Sequence, residues 1–169
     1  MCGILGVYSK SGIRDLDFNS GLDKLYNRGP DGLGTLSCMD GELLLGHTRL
    51  AIQDLTSNGG QPMVSYCCRY SLIFNGEIYN HEQLREKYKI LVDCRSDTRT
   101  LIELISELGV ESALNEIKGM FAFALFDKNT RKLTLARDIS GEKPLYWGIV
   151  DEKFVFGSDL SAIKCVIKS

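Results

Sequence analysis

Strands, then helices, then strands again: this order predicts an α+β sandwich rather than a parallel sheet wound from βαβ units. Three observations carry the prediction. The N-terminal half holds short apolar runs bounded by turn residues. Thr98–Leu108 places Leu101, Ile102, Leu104, Ile105 and Leu108 on one helical face. Met120–Phe126 is almost wholly apolar, the pattern of a strand buried on both faces.

The elements follow in order. Cys2–Tyr8, rich in Ile, Leu and Val, reads as a strand ending at Ser9-Lys10-Ser11-Gly12. Phe18–Tyr26 has Leu22, Leu25 and Tyr26 at helical spacing, and Asn27-Arg28-Gly29-Pro30-Asp31-Gly32 stops it as a rigid turn. Leu33–Met39 and Glu42–Leu50 read as strands joined by a tight Asp40-Gly41 turn. Tyr70–Phe74 is a further strand, closed by Asn75-Gly76. His81–Tyr88, Thr98–Leu108 and Val110–Ile117 read as helices, the second ending at Gly109. After Met120–Phe126 come strands at Lys132–Ala136, Leu145–Ile149 and Lys153–Phe156, and a closing helix at Leu160–Ile167.

Composition narrows the function classes. The 169 residues suit one domain with a sizeable core. A net charge of -2 with no basic block gives no sign of nucleic acid or an anionic membrane as partner. No apolar run approaches transmembrane length. Lys10, Arg14, Asp15 and Asp17 interrupt any apolar core of a signal peptide, so a cytoplasmic location is expected. The cysteines are Cys2, Cys38, Cys67, Cys68, Cys94 and Cys165; they form no C-x-x-C pair, and the histidines are only His47 and His81. Zinc-site spacing is therefore missing, and reduced thiols are expected.

Four places could carry chemistry. The chain opens Met1-Cys2, and the small side chain at position 2 permits removal of the methionine. Cys2 would then hold a thiol, with pKa about 8.5, and an α-amine, with pKa about 7.7–8.0, in one residue. That is the pairing by which a chain's own amine activates its nucleophile. In Gly46-His47-Thr48-Arg49-Leu50-Ala51-Ile52, an arginine ends an apolar strand; it can clamp a carboxylate bidentately or pair with a structural acid. Asn75-Gly76 after Leu72-Ile73-Phe74 has two readings. One is a plain turn, the commoner meaning of the dipeptide; the other is an oxyanion hole made of a side-chain amide and a closely approached backbone N–H. Ser96-Asp97-Thr98 before the amphipathic helix is an N-cap or a carboxylate for a substrate ammonium. Ser140-Gly141-Glu142-Lys143 lacks the glycine spacing of a phosphate loop.

Together these segments resemble one family. In order they are Cys-Gly-Ile, Arg-Gly-Pro-Asp-Gly, Gly-His-Thr-Arg-Leu-Ala-Ile, Gly-Gln-Pro at 60–62, Phe-Asn-Gly-Glu-Ile-Tyr-Asn, Ser-Asp-Thr, Gly-Met-Phe-Ala-Phe-Ala, Ala-Arg-Asp and Lys-Pro-Leu-Tyr. From Cys2 to about Ala162 the chain is similar to the glutaminase domain of class II glutamine amidotransferases of the asparagine synthetase type. The resemblance implies the N-terminal-nucleophile hydrolase fold, a four-layer αββα sandwich. It implies Cys2 as nucleophile on the glutamine side-chain carbonyl and Asn75 and Gly76 as oxyanion stabilisers. It implies Arg49 on the α-carboxylate and Asp97 on the α-ammonium, with Glu77 nearby and backbone contacts from Leu50 and Ile52. Ammonia would leave and water would hydrolyse the thioester, with no metal, cofactor or histidine base. Two departures from the family pattern stand out: Arg99 where Glu is usual, a reversed charge beside Asp97, and Ile139-Ser140-Gly141-Glu142 before Lys143, a change expected to touch packing.

ATP and Mg belong to a synthetase domain whose Ser-Gly-Gly-x-Asp-Ser loop this sequence does not contain. The expected partners are therefore glutamine and a synthetase domain or subunit supplied elsewhere, and a homodimer is compatible. Two other readings keep the fold: a glutamine-binding interaction module without turnover, and the glutaminase part of an amidotransferase with a sugar or peptide acceptor. Acceptor choice lies outside these residues.

Overall fold

A computed structural model of the chain describes residues 1–13, 17–51, 57–92 and 94–167. Its strands are β1 (Gly3–Tyr8), β2 (Gly32–Cys38), β3 (Leu43–Arg49), β4 (Met63–Val64), β5 (Tyr70–Ile78), β6 (Gly119–Asp127), β7 (Lys132–Arg137), β8 (Tyr146–Val150) and β9 (Lys153–Gly157). Its helices are α1 (Phe18–Asp23), α2 (His81–Tyr88), α3 (Asp97–Leu108), α4 (Val110–Glu116) and α5 (Leu160–Ile167). The strands form two antiparallel sheets, one in the order β2-β3-β1-β9-β8 and the other in the order β4-β5-β6-β7.

Period-two alternation gives each central strand two apolar faces. Ile4 of β1, Leu43 and Leu45 of β3, Ile73 of β5, Ala122, Ala124 and Phe126 of β6 and Phe156 of β9 pack together between the sheets. The other faces carry the helices. Leu5 and Val7 meet Phe18 and Leu22 of α1 and Ala162 and Val166 of α5. Leu72, Phe74, Phe121 and Phe123 meet Leu84 of α2 and Leu101, Leu104 and Ile105 of α3. The layers are therefore helix, sheet, sheet, helix, the expected four-layer αββα sandwich.

Three local expectations change. The Phe18–Tyr26 helix ends at Asp23, and a 3-10 turn over Tyr26–Arg28 follows. The β2–β3 connection is not a tight two-residue turn. Cys38 pairs with Leu43, so residues 39–42 span it, with positive φ at Met39, Asp40 and Gly41. Most consequentially, β5 does not end at Phe74. It runs through Asn75-Gly76 to Ile78, in register with β6 throughout.

Candidate active site

The same alternation assembles the site. Cys2 precedes β1 on the Ile4 side, Arg49 ends β3 on the side of Leu43 and Leu45, and Asn75 follows Ile73 on β5. All three therefore face the gap between the sheets at one end. There they line a cavity of about 160 Å³ together with Gly76, Glu77 and Asp97.

Cys2 is fixed at both its side chain and its backbone. The Leu50 N–H donates to its Sγ at 3.4 Å, and the thiol faces the Leu50 carbonyl at 3.8 Å. Arg28 Nε donates to the Cys2 carbonyl at 3.2 Å. The Arg28–Gly32 turn thus is the expected scaffold: Asp31 also accepts from Ala51 N through its carboxylate at 2.9 Å and donates its own N–H to the Arg49 carbonyl at 2.9 Å. Burial pushes the Cys2 thiol above its ordinary range. The Leu50 N–H, the N-terminal charge and Arg49 oppose this, while Asp97 adds to it. The resting sulfur is therefore a thiol that needs a base.

Asn75 is 1% exposed, and its Nδ2 has no hydrogen-bond partner among the described residues. A buried amide donor left unpaired costs about 1–3 kcal/mol and calls for an acceptor. Gly76 supplies a second donor by strand geometry. N–H groups of alternate residues point to the same edge of a strand. Phe74 N donates to Gln61 Oε1 at 2.6 Å and Ile78 N to Asp97 Oδ2 at 2.9 Å, both on the edge of β5 away from β6. The Gly76 N–H lies between them and faces the cavity. Glycine is required there: a Cβ would sit 2.3 Å from the Met120 carbonyl oxygen and 2.7 Å from Phe121 Cα. The Asn-Gly pair is thus two adjacent donors on a continuous strand, not a turn.

Arg49 and Asp97 supply opposite charges to the same cavity. Gly59 packs on the Arg49 guanidinium so closely that a Cβ would lie 2.4 Å from its terminal nitrogen. Asp97 begins α3 but is not a simple cap. Its carboxylate reaches back to Ile78 N, and its other oxygen accepts from Thr98 N at 2.8 Å. Burial raises its pKa, and these two N–H groups and His81 lower it.

Leu50 joins the cavity wall, while Ile52 lies outside the described residues. Arg99 does not join it: its guanidinium binds Glu103 at 3.0 Å and the Val64 carbonyl at 2.7 Å and stacks over Tyr66. The reversed charge beside Asp97 is therefore spent on packing α3 against the segment after β4.

Neither histidine lines the cavity. His47 is buried between the sheets with Nε2 3.2 Å from the Phe74 carbonyl, and burial lowers its pKa to about 4. Sequence reasoning did not single out Gln61, Thr98, Met120 and Lys143 as site residues, although all four line the cavity. All four sat inside motifs noted above. What hid them was chemistry: an amide after a Gly-Gly pair and a lone lysine suggest no role until their neighbours are known.

Residues 1–168 match a family described as a glutamine amidotransferase domain. The chain is 39% identical over 175 residues to a probable asparagine synthetase (glutamine-hydrolyzing) of Acanthamoeba polyphaga mimivirus, covering 99% of this chain and 32% of that protein. It is 36% identical over 171 residues to asparagine synthetase (glutamine-hydrolyzing) 1 of Bacillus subtilis, covering 96% of this chain and 26% of that one. The chain thus spans about a third or less of the length of these relatives. Among solved structures, the glutamine phosphoribosylpyrophosphate amidotransferase of B. subtilis superposes with a TM-score of 0.83 at 23% identity, over 98% of this chain and 43% of its own.

Proposed function

The chain belongs to the glutamine amidotransferase domain family, and on that footing we propose that it hydrolyses glutamine to glutamate and ammonia through a thioester on Cys2. Its two antiparallel sheets between helix layers are the N-terminal-nucleophile hydrolase fold. The observation that carries the reading is the unpartnered buried amide of Asn75 beside the cavity-facing Gly76 N–H, in one cavity with the Cys2 thiol.

The chemistry follows from those positions. Removal of Met1 frees the Cys2 α-amine, which takes the thiol proton directly or through a water. The sulfur attacks the glutamine side-chain carbonyl, and negative charge develops on its oxygen. Asn75 Nδ2 and the Gly76 N–H stabilise that oxyanion. Donors already fixed in place cost no reorganisation when the charge appears. As the carbon–nitrogen bond breaks, the amine returns its proton to the leaving nitrogen and ammonia departs. Water then attacks the thioester, glutamate leaves, and the thiol is restored. Arg49 and Asp97 hold the substrate's α-carboxylate and α-ammonium, fixing which end of the molecule reaches Cys2.

The reading extends to the protein's surroundings. The ammonia would pass to an asparagine synthetase-type module, as the relatives' names suggest, and a reducing, cytoplasmic setting suits a catalytic thiol. Cys2→Ala should abolish glutamine turnover in a chain shown by intact mass to have lost Met1. Undiminished turnover in that variant would show that the sulfur is not the nucleophile.

A further inference from the structure

The glutaminase scheme gives no task to Lys143, a charged group of the cavity. Lys143 is 6% exposed, and the only hydrogen-bond partner of its ammonium among the described residues is the Met1 Sδ, at 3.2 Å. A thioether is a weak acceptor, and a buried cation without a strong partner is costly. The chain nevertheless builds this position with care. Arg137 Nε donates to the Lys143 carbonyl at 2.6 Å, and the Lys143 N–H donates to Asp138 Oδ2 at 3.1 Å. The buried Asp138 carboxylate also accepts from Glu142 N at 2.9 Å and from Phe121 N at 3.2 Å. Phe121 is the β6 partner of Gly76. The loop between β7 and β8 is therefore bolted to the strand behind the oxyanion donors, and it delivers one ammonium into the cavity.

Removing Met1 takes away that ammonium's partner and creates the α-amine of Cys2, a residue lining the same cavity as Lys143. We infer that Lys143 is a positioning residue that acts through this amine: its buried charge holds the Cys2 α-amine in the neutral form that can accept the thiol proton. The inference rests on the glutaminase reading. An ordinary α-amine, with pKa about 7.7–8.0, is mostly protonated at neutral pH and so a poor base. A neighbouring cation disfavours a second positive charge, as for a catalytic lysine activated by an adjacent cation. The same repulsion makes the protonated amine a better acid toward the leaving nitrogen.

The other charges facing the amine come from each surrounding element. Arg28 lies on the Cys2 carbonyl from the 3-10 turn, Arg49 comes from β3, Glu77 from β5 and Asp97 from α3, and the Cys2 thiol is in the same residue. Bound glutamine would neutralise Arg49 and Asp97 in pairs with its own charges. Glu77, of opposite sign, is less buried than Lys143, so its field is more screened by water.

The test is the pH dependence of kcat/KM for glutamine in Met1-free protein, for the parent chain, Lys143→Met and Lys143→Arg. Lys143→Met should move the acid limb to higher pH, with a loss of about tenfold at neutral pH per unit of displacement that recovers in alkali. Lys143→Arg should restore the limb. Loss by one constant factor at every pH, or no loss, overturns the inference and leaves the glutaminase reading standing. A parent chain without turnover removes both. Should Lys143→Met not fold, the parent alone decides: ¹⁵N-detected titration of the Cys2 α-amine should fall below the ordinary α-amine range, and titration within or above that range overturns the inference.

Discussion

At the scale of single residues, the site is built from groups whose protein partners are incomplete. Asn75 spends an unpaired buried amide, Asp97 holds a carboxylate against desolvation with two N–H groups, and Cys2 keeps a thiol that burial discourages from ionising. Such incompleteness marks where a ligand or transition state completes the bonding. Asn75→Ala should lower kcat by about 10²–10³, the usual effect of losing one oxyanion donor. KM should change far less, as steady-state kinetics on glutamine would show. His47 gives a prediction independent of catalysis. Its folded pKa, about 4, lies below its unfolded value of about 6.5. The unfolded chain therefore binds more protons between these values, and stability falls as pH drops from about 6.5 to about 4, by about 3 kcal/mol. Urea midpoints across that window should show the slope in the parent and a flatter line in His47→Phe.

At the scale of elements, the decisive feature is the free edge of β5. Beyond β4 no strand among the described residues covers it; instead Gln61 and Asp97 take the Phe74 and Ile78 N–H groups and leave Gly76 between them. Gln61 also donates to Thr98 Oγ1 at 3.4 Å, tying β5 to the start of α3. Gln61→Ala should therefore raise KM and lower kcat together. Gln61→Glu keeps the acceptor for Phe74 N and should lose less, a ranking that kinetics on both variants would check. Gly76→Ala should be destabilised by overpacking against Met120 and Phe121, about 1–3 kcal/mol, measurable as a lower denaturation midpoint.

This edge also marks the limit of what could be read from sequence. The strands and helices were legible because their apolar residues repeat at two or at 3.6, and α5 was placed to the residue. Asn75-Gly76 was not decidable locally: the dipeptide favours turns, and only pairing with β6 along its length keeps it extended. Asp97 was ambiguous for the same reason, since one of its two N–H partners, Ile78, lies on a strand nineteen residues earlier in the chain. The β4 strand, Met63–Val64, is too short for any periodicity.

At the scale of the whole molecule, the site depends on strand order that no local pattern encodes. The first strand, β1, lies between β3 and β9, so the N-terminal residue pair is anchored by the far end of the chain. What sequence did announce was double-faced burial of β6, which demands a covering layer on each side of its sheet. Phe156, fully buried on β9 and filling the space over Gly6, is a keystone of that arrangement. Phe156→Ala should cost about 3–5 kcal/mol in chemical denaturation. In the proposed chemistry residue, edge and layers meet in one event: the Cys2 sulfur, freed from Met1, forms a covalent bond to the glutamyl group of glutamine. Intact-mass analysis of Met1-free protein, mixed with glutamine and acid-quenched within a single turnover, tests it directly. The account predicts a species heavier by one glutamyl group, on Cys2 and absent in Cys2→Ala; turnover of glutamine with no such adduct, or the same adduct in Cys2→Ala, would contradict it.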